Sequence, residues 1–261
     1  MTNSKKNLIL ITNDDGVYAS GINKLIEAIA PLGEVVVVAP DKPRSGMSGA
    51  ITCANPIRVS LLKDDEKDLK IYACTGTPVD CVKIGTDRLL PRKPDLLVSG
   101  INHGSNAAVS VIYSGTVGAA IEGCIIGIPS LAVSLTDNSP HADFGEAAKF
   151  GKSIAEKILK EGLPKGICLN LNVPNIPKVK GLKVGSQTAG RWTKEFEEMK
   201  DPSGKSVYWL TGDFLNDEPD NVNSDEWALA NGYAALVPLY IDMTAYGFIE
   251  KIKNWEKIAG F

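Results

Sequence analysis

The feature that most constrains the fold is an alternation that runs through the first two thirds of the chain. Short runs of apolar, largely β-branched residues are separated by stretches with apolar residues at helical spacing. Residues 8–12 are apolar almost throughout, as in a strand buried on both faces, and residues 35–39 repeat the pattern before Pro40 ends it. Residues 95–99, 130–135 and 167–173 read as further strands. Between them, residues 22–32, 79–90, 116–126 and 144–161 read as helices. The first stops at Gly33, and the second opens with Thr77 as its cap and Pro78 at its first position. Residues 51–62 suggest one or two strands, followed by a polar turn at 64–68 and a strand at 71–74. Strand, helix, strand in this order implies parallel pairing through right-handed crossovers. The expected fold class is α/β: a Rossmann-like, mostly parallel sheet with helices on both faces. Sheets of this kind bind ligands beyond the carboxyl ends of their strands.

The texture changes after Pro174. Residues 181–187 and 207–210 look like strands of a different unit, with Trp192, Trp209 and Trp227 set among acidic loops. A late strand at 233–238 and an amphipathic helix at 249–258 follow. The expected division is a core at 1–180 carrying the site, and a C-terminal part at 181–261 (β-hairpin, late strand and helix) used in subunit exchange.

Composition removes several classes of function. The formal net charge is -3 with no long run of like charge, so a nucleic-acid polymer is not the expected partner. No apolar run approaches the length of a membrane span, and the apolar stretch after Lys6 is too short for a signal-peptide core. The five cysteines are odd in number and form no C-x-x-C pair, which suggests free buried thiols in a reducing compartment. A cytoplasmic protein is expected.

Three polar, glycine-containing clusters each follow a buried strand. The first is Thr12-Asn13-Asp14-Asp15-Gly16. Neighbouring side chains on a strand point to opposite faces, so both carboxylates converge only if the chain turns, and Gly16 permits a turn. Converging carboxylates repel unless compensated, and a hard dication with oxygen ligands compensates them. A solvated, helix-capping turn is the other reading. The second cluster runs from Asp41 to Gly49, with Lys42, Arg44, Ser45 and Ser48, and could offer N–H groups to an anion or form an ordinary solvated loop. The third runs from Ser99 to Asn106, followed by Tyr113-Ser114-Gly115-Thr116 at a helix start, where free N–H groups suit phosphate and where Ser114 could equally be a cap. His103, inside this cluster, is a candidate acid or base, whereas His141 reads as loop. Neither G-x-G-x-x-G nor G-x-x-x-x-G-K-[ST] occurs, which disfavours a dehydrogenase or P-loop module.

The segments Asn13-Asp14-Asp15-Gly16, Ala39-Pro40-Asp41 with Arg44-Ser45-Gly46, Gly76-Thr77-Pro78-Val79-Asp80-Cys81, Ser99-Gly100-Ile101-Asn102 and Tyr113-Ser114-Gly115-Thr116 occur in an order and spacing that resembles the SurE (survival protein E) family. The resemblance implies a 5'-nucleotidase whose metal is held by Asp14, Asp15, Ser45 and Asn102, with Asp14, Asp15 and Asn102 catalytic. It implies that Ser114, Gly115 and Thr116 receive phosphate, with Asn13 and Asn106 beside them. It also implies one Mg²⁺ or Mn²⁺ per subunit, nucleoside 5'- and also 3'-monophosphates as substrates, an exopolyphosphatase side activity, and a homodimer or homotetramer. The late segment 237–244 is similar to a family motif with Val237 in place of its threonine. The expected reaction is in-line attack on phosphorus by a water that the dication activates. An Asp14 phosphoenzyme is less expected, because the second acid is adjacent and not two residues on. The alternative function is a non-catalytic, nucleotide-binding regulatory module.

Overall fold

The computed structural model describes residues 6–65 and 68–258. The residues before Lys6, expected to trail in solvent, lie outside the described residues, as does the centre of the turn expected at 64–68. Thirteen strands and six α-helices are present among the described residues. Through residue 173 they run β1 (Leu8–Thr12), α1 (Ser20–Ile29), β2 (Glu34–Pro40), β3 (Val59–Asp65), β4 (Leu69–Cys74), α2 (Pro78–Ile84), β5 (Leu96–His103), α3 (Gly115–Ile125), β6 (Ser130–Leu135), α4 (Gly145–Glu161) and β7 (Ile167–Val173). Then come β8 (Leu182–Val184), β9 (Gly190–Thr193), β10 (Phe196–Lys200), β11 (Ser206–Leu210), β12 (Asp213–Asn216), α5 (Asp225–Ala230), β13 (Ala234–Tyr240) and α6 (Tyr246–Ile252).

Nine strands form one sheet in the order β3-β4-β2-β1-β5-β6-β7-β13-β8. β1 lies near its centre, parallel to β2 on one side and to β5 on the other. The apolar runs are explained by burial on both faces. Ile9, Ile11, Val35, Val37 and Val98 face a core shared with Leu25 and Ile154 of α1 and α4. Their neighbours Leu8, Leu10, Val36, Val38 and Leu97 face the opposite core, with Val82 of α2 and Val117 of α3. The mixed, mostly parallel α/β architecture is the one expected from the sequence.

Several local expectations change. Residues 51–58 form no strand; β3 begins at Val59 and runs antiparallel to β4. The apolar Ile51 stays outside because Thr52 is tied to the Asp80 carboxylate through both its N–H and its hydroxyl. Asp80 also completes a capping box with Thr77, as the sequence cap suggested, while the helix expected to reach Leu90 ends as a π-turn at Gly85–Leu89. Cys53 is consequently exposed, whereas the other four free cysteines are buried.

The largest revision concerns the chain after residue 180. Residues 182–184 do not belong to a separate unit: β8 is an edge strand of the main sheet, parallel to β13, and β13 is antiparallel to β7. Between β8 and β13 the chain forms an arm, in which β9 pairs with β12 and β10 with β11, both antiparallel. β10 and β11 are exposed along their whole length. The arm's root is tied to the core by Asp225, whose Oδ1 accepts from the Thr188 hydroxyl at 2.6 Å and whose Oδ2 accepts from the Ala108 N–H at 2.9 Å. The expected terminal helix at 249–258 is instead α6 followed by a 3-10 turn at Lys253–Lys257, and no residue of α6 is buried.

Candidate active site

β1, β2 and β5 are parallel and adjacent, so the three polar clusters that follow them meet at one edge of the sheet. Asn13 makes the first turn. Its Nδ2 donates to the Gly16 carbonyl at 2.9 Å, and the Gly16 N–H donates to its Oδ1 at 3.2 Å. Gly16 takes φ of +99°, a conformation that side chains rarely adopt. Asn13 is fully buried with both ends of its amide engaged, so it shapes the turn instead of facing a substrate as expected.

The turn presents Asp14, which is 3% exposed and accepts a hydrogen bond from the Thr116 hydroxyl at 2.5 Å. Burial pushes the Asp14 carboxyl up to about 6; the Thr116 hydroxyl opposes that shift, and the charge of Asp15 adds to it. Asp15 accepts from the His103 main-chain N–H at 3.0 Å. Burial raises it too, against the lowering effect of that N–H. No Lys or Arg is among the charges acting on either carboxylate.

The second loop approaches from β2. The Arg44 N–H donates to the Asp14 carbonyl at 2.7 Å, while the Arg44 guanidinium donates to the Thr75 carbonyl at 2.6 Å. Arg44 therefore anchors the loop, and it is Ser45 and Gly46 that line the cavity. The third loop leaves β5 after its register with β6 shifts between Ser99 and Asn102, a bulge that re-aims the strand end. The Asn102 Nδ2 donates to the Gly104 carbonyl at 2.8 Å, which leaves Oδ1 as its ligating end. Asn106 is clamped at three points. Its N–H donates to Asn172 Oδ1, its Nδ2 donates to Ser134 Oγ, and its carbonyl accepts from Asn170 Nδ2.

The N-terminus of α3 presses against the carboxylates. A Cβ on Gly115 would lie 2.9 Å from the Asp14 Cβ, so the approach requires glycine. The Ser114 hydroxyl caps the helix by accepting from the Val117 N–H at 3.0 Å. Thr116, expected to face phosphate, is fully buried and spends its hydroxyl on Asp14.

These groups border a cavity of about 820 Å³. Its lining includes Asp14, Ser45, Asn102, Asn106 and Ser114 from the three loops and the start of α3, and Trp192, Phe214 and Glu226 from the arm and α5. No sequence motif pointed to Trp192, Phe214 or Glu226, which lie in β9, β12 and α5. His103 also lines the cavity. Its Nε2 is 2.6 Å from the Ser139 carbonyl, an acceptor, so Nε2 carries a proton and Nδ1 is the free nitrogen of the neutral ring. His141 is exposed in a loop.

The donors can be tested against the cation that the sequence suggested. Among the described residues no three His, Cys, Asp or Glu side chains converge. The edge instead offers two carboxylates, one nearly wholly buried, with serine and amide oxygens nearby. That all-oxygen set suits a hard cation such as Mg²⁺ or Mn²⁺, not a softer metal. Two carboxylates and one dication sum to zero, which would allow a phosphate dianion to approach without net repulsion.

The family model described as Survival protein SurE matches residues 9–194. A protein of Bacteroides fragilis named 5'-nucleotidase SurE is 49% identical over 253 residues, covering 97% of this chain and 99% of its own. One of the same name from Phocaeicola vulgatus is 48% identical, covering 96% and 97%. The crystal structure of the SurE protein from Aquifex aeolicus superposes with a TM-score of 0.81 at 39% identity, covering 96% of this chain and all of that one.

Proposed function

The chain belongs to the survival protein SurE family, and from that membership we propose that it hydrolyses nucleoside 5'-monophosphates to nucleoside and phosphate, using one divalent cation per subunit. The observation that carries the reading is the pair Asp14 and Asp15, held at the mouth of a helix with no Lys or Arg among the charges acting on them and only His103 beside Asp15. Asp14, Asp15, Ser45 and Asn102 would hold Mg²⁺ or Mn²⁺. When bound, the cation supplies Lewis-acid polarisation of the phosphoryl group and a nucleophilic water at neutral pH.

The chain's own groups do the rest. The Thr116 hydroxyl keeps Asp14 ionised and fixes its rotamer. At the start of α3 the Gly115 N–H would receive a phosphate oxygen that gains charge during transfer, since the Thr116 and Val117 N–H groups are already given to Asp14 and to the Ser114 hydroxyl. Asn106, clamped from β6 and β7, offers its Oδ1 to a substrate hydroxyl or to a water beside the phosphate. With Nε2–H given to the Ser139 carbonyl, His103 could hand the leaving oxygen a proton from Nδ1 only as the doubly protonated imidazolium; the neutral ring could instead accept one there from a water.

A 3'-ester, or the terminal group of a short polyphosphate, presents the same phosphate to the same groups and is a further substrate on this reading. The exposed apolar side chains of α6 support a homodimer or homotetramer with an exchanged C-terminal part. The free thiols support a cytoplasmic location, and no helix among the described residues is long and apolar enough to cross a membrane. The test is phosphate release from a panel of nucleoside monophosphates, with chelator and with added Mg²⁺ or Mn²⁺. Release that the chelator abolishes supports the reading. No release from folded protein with any metal leaves the regulatory module.

A further inference from the structure

Phosphate fills a small part of the cavity, and the part of its wall drawn from the arm and α5 is built differently. Trp192 on β9 and Phe214 on β12 are register partners across the arm. Their rings meet edge to face, with centroids 5.8 Å apart at 64°. The contact holds the indole in place, and Trp192 remains 36% exposed and lines the cavity. Glu226, in the first turn of α5, lines the same part of the wall and makes no ion pair among the described residues. Its burial and the adjacent charge of Asp225 both work against its ionisation, so it favours a ligand that donates a hydrogen bond to it. Glu195 adds a second carboxylate there. This part of the wall therefore offers an aromatic ring and carboxyl oxygens, and no Lys or Arg lines the cavity to receive a second phosphate.

Resting on the nucleotidase reading of the carboxylate pair, we propose that the arm is the nucleoside subsite, with Trp192 as the stacking surface for the base and Glu226 as the acceptor for a sugar hydroxyl. A base has a π face and no charge, which suits Trp192. Sugar hydroxyls are donors, which suits Glu226. A polyphosphate has neither group and would bring its remaining charges against Glu195 and Glu226. The arm, and not the loops around Asp14, thus selects nucleoside monophosphates over polyanions.

The test compares kcat/KM for a purine nucleoside 5'-monophosphate, ribose 5-phosphate and tripolyphosphate, with Mg²⁺ or Mn²⁺ present, in the full chain and its variants. For Trp192→Ala, the ratio of nucleotide to ribose 5-phosphate should fall on the order of ten-fold, mainly through KM, and Trp192→Phe should restore most of it. For Glu226→Gln, the ratio of nucleotide to tripolyphosphate should fall. Variants that scale all three substrates equally, or leave both ratios unchanged, overturn the subsite. If the wild-type chain releases phosphate from none of the three, the nucleotidase reading fails, and titration calorimetry with the nucleotide then decides the subsite. Weaker binding by Trp192→Ala than by wild type supports it, and equal or absent binding overturns it.

Discussion

Asp14 is nearly buried, has a second carboxylate beside it, and draws its support from a threonine hydroxyl and the start of a helix. Its ionised form therefore strains the metal-free protein. The sign follows from linkage. Folding raises the Asp14 pKa from 3.8 to about 6, so the native state holds the proton more tightly than the unfolded state. The contribution of Asp14 to stability is fully present below pH 3.8 and is lost as pH rises through about 6. We expect Asp14→Asn to stabilise the metal-free protein above pH 6 by roughly 1–3 kcal/mol, while turnover falls by orders of magnitude. Melting curves at pH 4 and pH 7.5, beside a phosphate-release assay, check both halves; full activity in the variant would remove Asp14 from the chemistry. Thr116→Val should act in the opposite direction on the proton. Without its hydroxyl, Asp14 rises further, and the pH range over which the metal-free protein loses stability should extend upward in melting curves. An unmoved range would mean that the hydroxyl is not what holds Asp14 down. At this scale the sequence was legible where residue type alone limits the role. Two adjacent carboxylates before a glycine had few uses, and the structure sets Asp14 in a cavity with Ser45 and Asn102. It was not legible for Asn13 and Thr116, because nothing in a sequence tells whether an amide or hydroxyl points to ligand or to its own chain.

Elements were readable in proportion to how strongly burial dictated their composition. β1 and β2, covered on both faces, announced themselves as unbroken apolar runs. β10 reads Phe-Glu-Glu-Met-Lys and faces solvent throughout, so no burial pattern marked it. Of the stretch 51–62, expected to hold one or two strands, only the part from Val59 is a strand, and near its start the Asp80 carboxylate takes the Thr52 N–H that pairing would have used. α3 is the element on which the site turns, since its start touches Asp14 and its second turn touches the Ser45 loop. A Cβ on Gly118 would lie 2.3 Å from the Ser48 carbonyl oxygen. Alanine is the better helix former, so Gly118→Ala would stabilise α3 if helix propensity dominated. We expect the clash to win, with a loss of about 1–3 kcal/mol and a fall in activity as the loop is pushed away. A higher melting temperature with unchanged kcat would show that the loop yields freely.

The whole molecule shows one imbalance: its last helix has no core. Met243 is 86% and Ile258 77% exposed, and no α6 side chain is buried. A helix this short gains little stability without packing. We expect deletion from residue 243 onward to lower the assembly state seen by sedimentation while leaving the main sheet folded. A full-length chain that sediments as a monomer at micromolar concentration would remove subunit exchange. The order of strands in the sheet has its own consequence. β8 pairs only with β13, and β13 sits between β8 and β7. During synthesis, residues 182–184 must therefore wait, with the arm hanging from them, until residues 234–236 have been made. By then the loops around Asp14 have long left the ribosome. Biosynthesis completes the loops around Asp14 early and gives the strand at the root of the arm its sheet partner late.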